Sequence, residues 1–174
     1  MIVVESSLKN IFATLPIQLS NGQEFKPVYD FGNQKELLRF IKSQNKVGVT
    51  KYPLIWLETP VSLTGKADRK ETRLTLVLAT LSNYELSNNQ RLETTFKNTL
   101  FPLLENVMKA LQRSGKTRIK DLENVKTTNY FNYGVKDLGQ KNEGQVSNDI
   151  WDAIKFECTI EITAHCGCDT KINY

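Results

Sequence analysis

Apolar residues recur at helical spacing in two short stretches near the start of the chain. The first predicts a helix that Pro16 must end, because proline cannot donate a helical hydrogen bond. Its apolar residues share one face: Val4, Leu8, Ile11, Phe12 and Leu15. The second begins at Asn33, which forms a capping box with Glu36 three residues later. Its apolar residues are Leu37, Leu38 and Ile41.

The longest helical pattern follows Ser87, which forms a second capping box with Gln90. Its apolar stripe continues for more than five turns. The stripe consists of Leu92, Phe96, Leu100, Leu103, Leu104, Val107, Met108 and Leu111. Pro102 removes one backbone donor inside this stretch, yet the stripe keeps its phase, so we expect one kinked helix that ends at Gly115.

Three stretches predict strands of a central sheet. Leu54–Leu57 is a short apolar run between two prolines, which predicts a strand buried on both faces. Arg73–Leu81 is its expected antiparallel partner. Ile150–Ile162 alternates apolar and polar residues, as in a strand with one buried face. The stretch Phe25–Phe31 contains Pro27, which permits at most an edge strand.

The predicted strand Arg73–Leu81 is apolar on both faces, because Val77, Ala79 and Leu81 lie opposite a row of leucines. The second apolar face needs a cover, which either the same chain or another subunit must supply. The charged segment Ser62–Thr72 joins the two middle strands and predicts a mobile hairpin arm over about residues 60–73.

The polar stretch from Lys116 to Asn148 has no clear periodicity. A loop of that length inside a compact domain is usually functional or hides a regular element. From about residue 164 we expect a flexible C-terminal tail. The length of 174 residues predicts a single domain, residues 1–174, which is large enough to bury a sizeable core.

Composition narrows the class of protein. No apolar run approaches the roughly 20 residues that span a bilayer, so we expect a soluble protein without a membrane partner. The start of the chain carries Glu5 and Lys9 and no cleavage site, which predicts an intracellular origin. The net charge of +4 is mild. Six cations between Lys109 and Lys126 predict a solvated helix end or, as an alternative function, the nucleic-acid-binding surface of an accessory protein.

Residues capable of catalysis are sparse. His165, the single histidine, lies nine residues from the end of the chain, where precise catalytic geometry is hard to maintain. His165, Cys166 and Cys168 could instead bind zinc with Cys158, but the spacing lacks two separate ligand pairs, so we expect reduced thiols. Glu58 is an isolated carboxylate in its stretch of the sequence, and we expect it to cap the solvent end of its strand. We therefore expect no enzyme, no cofactor and no metal.

Five segments follow one another in a characteristic order: Tyr52–Leu57, Leu74–Thr80, Asn89–Leu104, Tyr133 with Gly134, and Asp152–Ile154. Together with the flanking elements they span residues 25–163. This order and pattern resemble a tail terminator or neck protein of tailed bacteriophages, in the version common in phages and prophages of Bacteroidetes hosts. No single segment is a diagnostic motif.

The resemblance implies an α+β fold, in which an antiparallel or mixed β-sheet is covered by the long kinked helix and two shorter helices. It implies a structural virion protein that forms a ring, typically of six copies, at the head-proximal end of the tail, where it ends polymerisation of the tube. The implied partners are other copies, the tail tube protein and a head-closure or connector protein. The protein would be made in the bacterial cytoplasm and reside in the virion.

A ring subunit needs two unlike surfaces that meet head to tail. We expect the arm and the following strand to contact the neighbouring copy or the tube. The expected contact residues are Lys66, Arg69, Lys70, Arg73, Thr75, Val77 and Ala79. The cations Lys66, Arg69 and Lys70 could alternatively face DNA in the lumen of the ring, where contact independent of base sequence suffices.

Overall fold

A mixed sheet of seven strands forms the centre of the computed structural model, which describes residues 2–13, 17–18, 24–43, 52–66, 68–83, 85–133 and 150–163. The helical elements are α1 (Val4–Ala13), α2 (Gln34–Ser43), α3 (Asn88–Arg91), a π-helical segment (Leu92–Leu100), α4 (Phe101–Arg113) and a 3₁₀ turn (Leu122–Asn124). The strands are β1 (Ile17–Gln18), β2 (Glu24–Phe25), β3 (Val28–Gly32), β4 (Leu54–Glu58), β5 (Thr64–Gly65), β6 (Arg69–Ser82), β7 (Thr117–Ile119), β8 (Lys126–Tyr133) and β9 (Ile150–Thr163).

The strands of the main sheet lie in the order β3-β4-β6-β9-β7, with β5 beside β6 and β8 beside β9. β3 runs parallel to β4 at the edge, and the other pairs are antiparallel. β6 and β9 pair along all 14 residues of each strand. The structure confirms the predicted α+β class, the mixed sheet, the edge position of β3 and the antiparallel pairing of β4 with β6.

Alternation along β6 and β9 divides the sheet into two faces, because successive side chains of a strand point to opposite sides. Even-numbered residues of both strands point to the inner face, where they pack against α1 and the helical run from α3 to α4. The strands supply Leu74, Leu76, Leu78, Ile154, Phe156, Cys158, Ile160 and Ile162. The helices supply Val4, Leu8, Ile11, Phe12, Phe96, Leu100, Leu103, Val107, Ala110 and Leu111, all of which except Ala110 belong to the two predicted stripes.

The outer face is apolar only at the end of the sheet near Ser82. Here α2 and β8 complete a second cluster in which no side chain is more than 6% exposed. Its members are Leu37, Leu54, Trp56, Val77, Ala79, Tyr133, Trp151 and Ala153. The second apolar face is therefore covered by the same chain, and it does not require another subunit. Leu81, which the pattern placed on this face, is 47% exposed.

The predicted long helix is a continuous helical run from Asn88 to Arg113. The side chain of Ser87 accepts a hydrogen bond from the backbone of Gln90, whose own side chain accepts one from Ser87, which confirms the capping box. The wider π-helical turns end just before Pro102, the residue that cannot donate a backbone hydrogen bond. Gly115 follows the run with a φ of 68°, a left-handed conformation typical of helix ends. The kink stays a prediction.

One buried ion pair connects the start of this helical run to the sheet. Arg91 Nη1 lies 3.1 Å from Asp152 Oδ1, and the two side chains are 1% and 0% exposed. The hydroxyl of Thr95 donates to the second carboxylate oxygen at 2.6 Å, and the backbone N–H of Asn132 donates to the first at 3.2 Å. The guanidinium also donates to the backbone oxygens of Asn83 and Leu86 and to the side-chain oxygen of Asn132. These bonds offset the cost of removing both charges from water.

Two sequence assignments need correction. Part of the stretch that lacked periodicity forms β7, a 3₁₀ turn and β8, while residues 134–149 lie outside the described residues. Arg69–Thr72, which we assigned to the arm, continue β6 and pair with β9. This pairing satisfies backbone groups that a projecting arm would expose to water. Thr64 and Gly65 form β5 and pair with Glu71 and Lys70, so they also belong to the sheet. The projection of residues 66–68 stays a prediction, and the predicted tail from residue 164 lies outside the described residues.

The substitution Asp152→Asn should lower the free energy of unfolding by about 3–5 kcal/mol, because it leaves the Arg91 guanidinium buried without a counter-charge. Urea unfolding followed by circular dichroism measures this change. Glu157→Gln is the matched control on the same strand, since Glu157 pairs with the exposed guanidinium of Arg73. The control should cost less than about 1 kcal/mol. Equal losses in the two variants would contradict the role assigned to the buried pair.

Candidate interaction surface

The outer face of the sheet changes from apolar to polar beyond Val77. We call this polar half the charged face and define it by Arg69, Glu71, Arg73, Thr75, Lys155, Glu157, Thr159 and Glu161. All eight residues lie on the same side of the β6–β9 pair, and all are at least partly exposed. The sequence indicated the polar positions of β9, because they alternate with isoleucines. It did not indicate that these positions lie beside the arginines of β6, which follows from the register of the two strands.

Ion pairs order the side chains of the charged face. Arg73 Nη2 lies 2.7 Å from Glu157 Oε2, and Arg69 Nε lies 3.6 Å from Glu161 Oε1. The two arginine side chains are 73% and 61% exposed, respectively. Exposed pairs of this kind contribute only about 0–1 kcal/mol each, so a partner surface can replace them at low cost. The arrangement suits recognition of a surface with complementary charges.

Glu58, the isolated carboxylate of the buried strand, lies at the border of the charged face. Its Oε2 is 3.1 Å from Lys155 Nζ, and both side chains are 28% exposed. The carboxylate thus ends β4 next to a cation on β9. This contact agrees with the predicted role of Glu58 as a cap at the end of the strand.

Three of the seven predicted contact residues lie on the charged face: Arg69, Arg73 and Thr75. Lys70 lies on the opposite side of β6, and its Nζ donates to the carbonyl of Gly65 at 2.9 Å. Lys66 is exposed directly after β5.

The remaining two predicted contact residues, Val77 and Ala79, are 0% exposed. Both lie on the outer face, but in its apolar half, beneath α2 and Tyr133. A neighbouring copy cannot reach them in this conformation. Their assignment to an interface is therefore wrong, because these apolar side chains pack against other residues of the same chain.

The basic cluster between Lys109 and Lys126 does not form one surface. Lys109 lies on α4, which packs on the inner face, and pairs with Glu105. Arg118 and Lys126 lie on the outer face, opposite carboxylates of β9. This distribution does not support a continuous basic surface for the nucleic-acid backbone.

Cys158 lies in the inner core and is 3% exposed. Burial raises the pKa of its thiol to about 12, because the thiolate would lose its hydration. The proposed zinc site with His165, Cys166 and Cys168 would have to extract Cys158 from this core, and those three residues lie outside the described residues. Among the residues that the structure does describe, no group of three or more His, Cys, Asp or Glu could hold a metal ion.

No protein-family model matches this chain, and no match is found among curated proteins. In the described part of the chain, no helix combines the length and apolarity needed to cross a bilayer.

In a variant with Cys166→Ser and Cys168→Ser, the remaining thiol of Cys158 should react with a disulfide reagent at pH 8 at least about 100-fold more slowly than in 6 M urea, because reaction requires local opening. The folded pKa lies above the unfolded one, so ionisation of this thiol favours unfolding only as the pH rises above about 9.0. Equally fast labelling with and without urea would show that Cys158 is accessible.

Proposed function

We propose that this protein is a structural subunit of a phage tail or neck, which assembles with copies of itself into a ring, typically of six, and ends the tail tube. Its further partners are the tube protein and a head-closure or connector protein. The order of elements in the chain supports this proposal. A helix, an edge strand, a second helix, two antiparallel strands, a long helical run and a final strand follow one another, as the resemblance implies.

The charged face is the observation that carries the choice of interface. Arg69 and Arg73 form a row on β6, and Glu157 and Glu161 form a parallel row on β9. Both rows lie on one face, which supplies one of the two unlike surfaces that each copy of a head-to-tail ring needs. The exposed arginines of this face can meet carboxylates on the next copy, and arginine is common in protein interfaces.

This interface differs from the apolar contact that the sequence suggested. The apolar half of the outer face is already buried, so the proposed association relies on the charged and polar groups of the charged face. Contacts between exposed charges weaken as salt rises, because the screening length falls to about 3 Å at 1 M salt. Assembly should therefore depend on ionic strength.

Size-exclusion chromatography with multi-angle light scattering tests this proposal. At 50 mM salt the wild-type protein should have six times the chain mass of 19.9 kDa, and at 1 M salt it should shift towards the monomer. The double variant Arg69→Glu with Arg73→Glu should be monomeric already at low salt. Arg39→Glu with Arg113→Glu is the matched control, since both arginines are exposed but lie on α2 and α4.

A wild-type protein that stays monomeric at several hundred micromolar and low salt would overturn the proposed ring. Fluorescence anisotropy with a labelled DNA duplex distinguishes the alternative function. Binding of DNA by a monomer, with an affinity that falls steeply with salt, would favour a nucleic-acid-binding accessory protein.

A further inference from the structure

Two strands at opposite ends of the central sheet, β3 and β8, each lack a partner on one side among the described residues. β3 pairs only with β4, and β8 pairs only with β9. Both strands carry exposed residues: Phe31 on β3 is 45% exposed, and Thr127 and Asn129 are exposed on β8. An accessible edge of this kind can pair with a strand of another chain.

The ladder of β9 shows which backbone groups of β8 are free. Lys120 N–H donates to Thr159 C=O, so odd-numbered residues of β9 direct their backbone groups to the side on which β7 and β8 lie. The even-numbered residues of β8 lie opposite them in the register and pair with β9. The N–H and C=O groups of Thr127 and Asn129 therefore point to the open side of β8.

The open side of β3 follows from its ladder with β4. Val28 N–H donates to Pro53 C=O, so the even-numbered residues of β3 direct their backbone groups to β4. The backbone groups of Tyr29 and Phe31 therefore point the other way. Asp30 Oδ1 accepts the N–H of Phe31 at 2.9 Å, so this donor is satisfied by a carboxylate that a partner strand can replace.

Apolar side chains adjoin both open edges on the inner side of the sheet. Tyr29 packs against the inner core, and Phe31, two residues later, lies on the same side of β3. On β8 and just before it, Phe131 and Val125 are partly buried against the same core. Each edge thus offers a partly exposed apolar surface to a strand that extends the sheet.

Opposite charges adjoin the two edges on the outer side. Asp30 lies on this side of β3, because Val28 two residues earlier packs against the outer cluster. Lys126 is exposed on the outer side of β8 and takes part in no ion pair among the described residues. Its cross-strand neighbour Glu157 is bound to Arg73 at 2.7 Å. Charge complementarity therefore favours β3 of one copy beside β8 of another.

We propose that β3 of one copy pairs with β8 of the next copy, so that the sheet continues from subunit to subunit. This inference rests on the proposed ring and names the second of its two unlike surfaces, the edge at β3. The first surface is the charged face together with the β8 edge that borders it. Within one copy β8 runs antiparallel to β3, and cyclic symmetry preserves this direction, so the two strands pair antiparallel.

One antiparallel register matches the free backbone groups of the two edges. It pairs Tyr29 with Asn129 and Phe31 with Thr127, and the residues of each pair exchange both main-chain hydrogen bonds. The N–H of Phe31 then donates to the next copy, which releases the carboxylate of Asp30.

The same register brings complementary side chains together. Asp30 lies diagonally across from Lys126 on the outer side, and Phe31 lies diagonally across from Val125 on the inner side. Diagonal neighbours in an antiparallel pair are within reach of long and aromatic side chains. The junction therefore gains an ion pair and covers the exposed ring of Phe31.

Oxidative cross-linking tests the junction in a background of Cys166→Ser and Cys168→Ser. Asp30→Cys with Thr128→Cys places two thiols opposite each other, so copper phenanthroline should produce disulfide-linked oligomers in non-reducing electrophoresis. The matched control is Asp30→Cys with Glu105→Cys, because Glu105 is 67% exposed but lies on α4. The control should cross-link at least about tenfold less, since a disulfide requires close Cα atoms.

A substitution at the exposed ring tests the same junction without cysteines. Phe31→Asp should weaken self-association at least about tenfold in light scattering, because it places a charge where an apolar contact forms. Leu81→Asp is the matched control, since Leu81 is 47% exposed but lies on β6, which has strands on both sides. It should associate like the wild type. Circular dichroism checks that both variants fold.

The outcomes separate the junction from the ring. Cross-linking at the level of the control, or wild-type association by Phe31→Asp, would overturn the strand pairing, while a salt-sensitive hexamer would still support the ring. Efficient cross-linking into oligomers whose native mass is not six copies would support the pairing and overturn the six-membered ring. A monomeric wild type together with control-level cross-linking would overturn both.

Discussion

Full-length pairing of β6 with β9 is the constraint on which the rest of the structure depends. Both strands have 14 residues, and their register determines the face of the sheet on which each side chain lies. A slip of one residue in either strand would move its isoleucines or leucines to the outer face and its charged residues into the inner core. The large cost of burying unpaired charges opposes such a slip. The same register therefore produces both the inner core and the charged face.

The buried pair of Arg91 and Asp152 extends this constraint to elements outside the ladder. Asp152 lies on β9 opposite Thr80, while Arg91 lies at the start of the helical run. Their hydrogen bonds also reach the loop after β6 and the irregular turn of β8 at Asn132, whose φ is 58°. Because a misplaced partner would leave a charge buried alone, this contact favours one arrangement of helix, loop and strand.

Burial of the apolar half of the outer face shapes what the protein can bind. With Val77 and Ala79 covered, the outer face presents partners mainly with guanidinium, carboxylate and hydroxyl groups. Obligate interfaces are usually more apolar, whereas contacts built on exposed charge are sensitive to salt and to the charge pattern of the partner.

Local sequence pattern was sufficient to predict α1, the capped starts of α2 and α3, and the strands β4, β6 and β9, because periodicity and capping depend on near neighbours. Arg69, Arg73 and Thr75 lie on an accessible surface, and their predicted role in an interface stays a prediction. The cover over Val77 and Ala79, the short strands β7 and β8, and the pairing of Arg91 with Asp152 depend on residues far apart in the chain. Tertiary structure alone decided these features, since no local pattern specifies which distant segments meet.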